Sequence, residues 1–60
     1  MKMWMARDKS GDLYLYKSKP IVNEGIWYCR EGLWSISNYL FPEVTFENSP
    51  VEVELKLIEK

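Results

Sequence analysis

At 60 residues the chain has room for one small domain with a modest core, because a chain of this length buries only about 60% of the surface its unfolded form exposes. A composition of 47% hydrophobic and 28% charged residues excludes a disordered chain, while a lone cysteine (Cys29) and the lack of histidine exclude an intrachain disulfide and the common zinc ligand sets. The net charge of −1 hides an asymmetry, Lys2, Arg7, Lys9, Lys17 and Lys19 against Asp8 and Asp12 in the first twenty residues and an acidic remainder, which we read as opposite charges pairing between strands.

The opening Met1–Ala6 meets Arg7-Asp8 too soon to be the apolar core of a signal peptide, and no apolar run approaches the roughly 18 residues of a membrane span. A soluble, unprocessed cytoplasmic protein is expected. Asp8-Lys9-Ser10-Gly11 then carries turn chemistry, with Asp at the first position of a type I turn and Gly where a left-handed residue closes a bulge. Pairing Asp8 with Asp12 sets Met5 opposite Leu15 and Trp4 opposite Tyr16. Met3, Met5, Leu13 and Leu15 then share one face of the hairpin, and Trp4, Ala6, Tyr14 and Tyr16 the other. Both faces are apolar, so both need cover.

Lys19-Pro20 and Asn23-Glu24-Gly25 read as a connecting loop. A second hairpin is expected from Ile26–Arg30 and Leu33–Ser37 about Glu31-Gly32, which would group Trp27, Cys29, Trp34 and Ile36 on one face. Ser37–Phe41 fits one helical turn, capped by Ser37 and stopped by Pro42. Val44 and Phe46 alternate with Thr45 and Glu47 as in a short strand. Val51, Val53, Leu55 and Leu57 alternate with Glu52, Glu54, Lys56 and Ile58 in the clearest half-buried strand of the chain, expected to anchor the core. The fold class is therefore mainly β: a small antiparallel sheet of hairpins, tending to curl towards a barrel, with one short helical turn. The alternative is α+β with residues 34–41 helical.

Little of this carries catalytic or metal chemistry. Asp8-x-Ser10-x-Asp12 spaces oxygen atoms as a calcium loop does, but Leu13 stands where such a loop needs glycine and Lys19 where it needs glutamate. Cys29 has no histidine to deprotonate it and is expected between Trp27 and Trp34 in the core. Glu43, Glu47, Glu52 and Glu54 read as solvated residues. No enzyme activity, metal or cofactor is expected. Nine aromatic residues do raise two binding readings. One is a protein partner or a homodimer, with Trp4, Tyr14 and Tyr16 as anchors of an exposed aromatic face. The other is single-stranded nucleic acid stacked on the same rings, with Lys2, Lys17 and Lys19 following the phosphates. The acidic remainder of the chain works against the second.

The two ends of the chain, Trp4-x-Ala6-Arg7-Asp8-x-x-Gly11-x-Leu13-x-Leu15 and Phe41-Pro42-Glu43-Val44 followed by Pro50-x-Glu52-Val53-x-Leu55, resemble a group of short proteins of gut bacteria and their prophages. The resemblance covers roughly residues 1–20 and 39–58 and leaves the stretch from Asn23 to Ser37 unmatched. It implies a stand-alone small protein encoded on a mobile element, with no assigned activity or site residues to carry over. By analogy alone it favours protein binding.

Overall fold

The first turn forms as its residues dictate. The Asp8 amide donates to the Asp12 carbonyl at 2.8 Å and the Gly11 amide to the Asp8 carbonyl at 2.9 Å, with Gly11 at φ +103°, a conformation that costs glycine little. The computed structural model describes residues 1–56 and contains six strands: β1 (Lys2–Arg7), β2 (Leu13–Tyr16), β3 (Ile21–Asn23), β4 (Ile26–Tyr28), β5 (Leu33–Ile36) and β6 (Val51–Glu54). β1 and β2 pair with Trp4 opposite Tyr16 and Met5 opposite Leu15, the register the turn predicts.

The protein is mainly β, with one antiparallel sheet in the order β5-β2-β1-β6 and a second of β3 and β4. The larger sheet stays open, with β5 and β6 as its edges, and does not close into a barrel. Lys2 lies opposite Glu54 in the β1–β6 ladder, one instance of the opposite-charge pairing that the charge asymmetry suggests. The Leu55 amide extends that ladder to the Met1 carbonyl at 2.8 Å.

Four expectations are corrected. The hairpin about Glu31-Gly32 does not form, because residues 26–28 and 33–36 go to different sheets. The two-residue turn is instead Glu24-Gly25, both at positive φ (51° and 79°), the twist that suits a tight hairpin, and it joins β3 to β4 with Asn23 opposite Ile26. Residues 34–41 are not helical: Leu33–Ile36 is a strand, and beyond it lies a turn closed by the Leu40 amide on the Ser37 carbonyl at 3.1 Å. Val44–Glu47 is not a strand, because side chains capture its backbone first. The Thr45 amide donates to Asn48 Oδ1 at 2.8 Å, and the Asn48 amide donates to Thr45 Oγ1 at 3.2 Å. β6 is an edge strand with Val51 and Val53 only half-buried, so the centre of the core belongs to β1 and β2. Leu57 and Ile58 of the expected terminal strand lie outside the described residues.

Each face of the β1–β2 hairpin finds its own cover. On the methionine face, Met5 and Leu13 bury against Val44, with Leu15, Ile36, Val51 and Val53 packed around them. On the tyrosine face, Ala6 and Tyr16 are fully buried and Trp4 and Tyr14 half-buried. There β4 lies across the strands: the Tyr16 hydroxyl donates to the Trp27 carbonyl at 2.9 Å, and the Trp27 amide donates to Asp8 Oδ1 at 2.9 Å. Trp27 meets Phe46 with ring centroids 6.4 Å apart. The segment that contributes Val44 to one face therefore reaches the other through Phe46.

Arg7 holds the cover of the methionine face. Its Nε donates to the Val44 carbonyl at 2.6 Å, Nη1 to Gly11 and Asn38 at 2.7 and 3.2 Å, and Nη2 to Leu40 and Phe41 at 3.1 Å each. Five backbone carbonyls thus converge on the five N–H bonds a guanidinium offers. One of them belongs to Phe41, which sits at φ 53°, an uncommon conformation for a residue with a side chain.

Two substitutions probe these contacts. Arg7→Met should lower stability to chemical denaturation by roughly 2–4 kcal/mol, and Arg7→Lys should recover little of it, since one ammonium cannot span five carbonyls. Burial, then the Asp8 carboxylate and then Tyr14 and Cys29, pushes the Tyr16 phenol from 10.0 up to about 12. The unfolded chain therefore releases that proton first, so the stability contributed by the neutral buried phenol is complete below pH 10 and is lost as pH rises towards 12. Tyr16→Phe should cost about 1 kcal/mol at neutral pH, through the lost bond to Trp27, and should show a shallower decline above about pH 10 in equilibrium unfolding.

Candidate protein interface on the methionine face

The residues expected to anchor a partner are those that the fold covers itself. Tyr16 is 1% exposed under β4, so its ring is part of the interior and not a contact surface. Trp4 and Tyr14 are half-buried beside it; the Tyr14 and Tyr16 rings stand 6.4 Å apart at a 56° tilt, and Lys19 Nζ lies 5.4 Å from the centre of the Trp4 ring. That last contact is within cation–π range, which gives Lys19 an intramolecular partner. Of the lysines assigned to the nucleic-acid reading, Lys17 stands apart from the other two. Lys19 lies on the tyrosine side, while Lys17 lines a hollow on the methionine side with Met1, Met3, Leu15, Trp34 and Leu55. Lys2 is exposed on β1, opposite Glu54.

The polar candidates are engaged in turns. Asp8 accepts from Trp27, while Asp12 accepts from Ser10 Oγ at 3.2 Å and from Asn38 Nδ2 at 3.4 Å. Among the described residues no group of three or more His, Cys, Asp or Glu side chains is arranged to hold a metal ion. Cys29 is half-buried and its thiol donates to the Ser18 carbonyl at 3.4 Å. It does not sit between Trp27 and Trp34, because the hairpin that would place it there is absent and Trp34 has gone to the methionine face opposite Leu15.

That face is where apolar surface stays open. Val44 covers its Arg7 end; a hollow of about 470 Å³ runs from beside Val44 and Met5 along the face and adjoins one of about 430 Å³ at the other end, the two sharing Met3, Leu15 and Leu55. Trp34 and Met1 border the first, and Ile36, Phe41 and Val53 the second. Trp34 is 49% exposed and Leu55 56%. Lys17, Glu43 and Glu54 are the charged residues at the margins, which gives the apolar centre and polar rim typical of protein contact surfaces.

Sequence reasoning missed Trp34 and Leu33 as surface residues. The signal that could have found them was the uncharged run from Gly32 to Pro42, which no solvated strand of a free monomer requires. Trp34 is placed by Gly32. A Cβ on that glycine, at φ +54°, would come within 2.9 Å of Cη2 and Cζ3 of Trp34, so the indole lies against the bare backbone. Comparison of the chain with protein-family models, with curated proteins and with solved structures returned no match.

Proposed function

We propose that the protein is a small non-enzymatic interaction protein that works by self-association, using the open end of the methionine face beside β5. The observation that carries this reading is the pair of adjoining apolar hollows bordered by exposed Trp34 and Leu55. A chain of this size buries few side chains, and each apolar Å² removed from water on association contributes about 25 cal/mol before the ordering costs of binding are met. A tryptophan whose ring edge rests against a glycine is restrained there, so burying it costs less side-chain entropy than burying a mobile ring. On this reading the contact surface lies on the face opposite the one expected from the aromatic residues alone.

Sedimentation across a concentration series tests the reading. The wild-type chain should pass from monomer to dimer mass as concentration rises, whereas Trp34→Glu should stay monomeric with an unfolding midpoint close to wild type. A wild-type chain that is monomeric at every concentration, or a Trp34→Glu chain that associates as wild type does, would overturn it.

A further inference from the structure

The alternation of ladder bonds determines which backbone groups each sheet edge leaves free. The Lys17 amide donates to the Gly32 carbonyl at 3.4 Å, in the same register that pairs Leu15 with Trp34 and Leu13 with Ile36. In an antiparallel ladder the residues between such pairs turn their N–H and C=O groups the other way. Leu33 and Ser35 therefore point both backbone groups outward from the β5 edge. At the opposite edge the Leu55 amide reaches the Met1 carbonyl in the register that pairs Met3 with Val53, so Glu52 and Glu54 are the outward-pointing residues of β6.

The two edges differ in chemistry. β6 has exposed carboxylates at both outward positions, and a second β6 run antiparallel beside it would bring glutamates together, the usual guard against edge pairing. β5 has no such guard. Leu33, Trp34 and Ser35 are exposed, and no charged residue occurs from Gly32 to Pro42. An uncharged strand offers nothing to select a charged partner and nothing to repel its own copy.

Resting on the self-association proposed above, we infer that β5 is the dimer edge: a second copy adds its own β5 antiparallel across a two-fold axis, Trp34 facing the partner's Trp34. In this register Leu33 exchanges backbone bonds with the partner's Ser35, and Ser35 with the partner's Leu33, which satisfies every outward group of the strand. The two sheets become one sheet of eight strands with the glutamate-guarded β6 strands at its ends. Gly32 comes opposite the partner's Ile36, so the indole lying on Gly32 packs beside that side chain, next to the hollow of Met1, Met3, Leu15 and Leu55.

Ser35→Pro provides the test, because it removes an outward N–H without touching a bond to β2, and proline is tolerated at such edge positions. The expected result is a folded monomer at concentrations where wild type and Ser35→Ala, which keeps the amide, are dimers. In the wild type, amide hydrogen exchange at Leu33 and Ser35 should slow at least tenfold between dilute and concentrated samples. That exchange measurement also decides the matter if Ser35→Pro fails to fold. A wild-type dimer whose Leu33 and Ser35 amides exchange equally fast at both concentrations would overturn the β5 edge while leaving self-association intact. A wild-type monomer at all concentrations would overturn both.

Discussion

Arg7 and Asp8 stand side by side where β1 ends, and strand alternation points one side chain to each face of the hairpin. The segment from Asn38 to Val44 has no ladder to satisfy its carbonyls, and a guanidinium, with five donors in a fixed fork, can take more of them than any other side chain. On the other side, the Asp8 carboxylate receives the Trp27 amide, and the neighbouring Lys9 amide reaches the Gly25 carbonyl at 2.9 Å. One dipeptide thus fastens both covering segments to the same end of the central hairpin. Neither cover has a helix or disulfide to hold it otherwise, so the small core depends on these bonds to exclude water.

The same arrangement explains why one end of the methionine face stays open. Both attachments act near the β1–β2 turn, and Val44 comes down on Met5 and Leu13 there. At the far end nothing equivalent descends on Met1, Trp34 and Leu55. The tyrosine face is better covered because β2 runs directly into the β3–β4 hairpin, whose Trp27 carbonyl meets the Tyr16 hydroxyl. The location of the proposed contact surface therefore depends on where the chain places the charges of Arg7 and Asp8.

Sequence reasoning reached the first hairpin, its register and the residues on each of its faces, because Asp8 and Gly11 specify that turn locally. It failed where two local signals were alike. Glu24-Gly25-Ile26-Trp27 and Glu31-Gly32-Leu33-Trp34 have nearly the same pattern, and only the first makes a tight turn. What separates them is long-range: Asp8 and Lys9 bind the first segment, while the outer edge of β2 takes the second. Each delivers its tryptophan to a different face. The burial of the Tyr16 face was not legible for a related reason, since period-two alternation says which side chains share a face but not what covers it. Trp4, Tyr14 and Tyr16 were the more aromatic face, and the chain's own second sheet lies on them.

If Arg7 and Asp8 fasten the two covers independently, amide hydrogen exchange in Arg7→Lys and Asp8→Ala will separate them. Arg7→Lys should speed exchange at Leu40 and Val44 while Lys9 and Trp27 keep their wild-type rates, and Asp8→Ala should do the reverse. If either variant speeds exchange equally at all four amides, the two faces are not separately held and Arg7 and Asp8 do not act as independent fasteners.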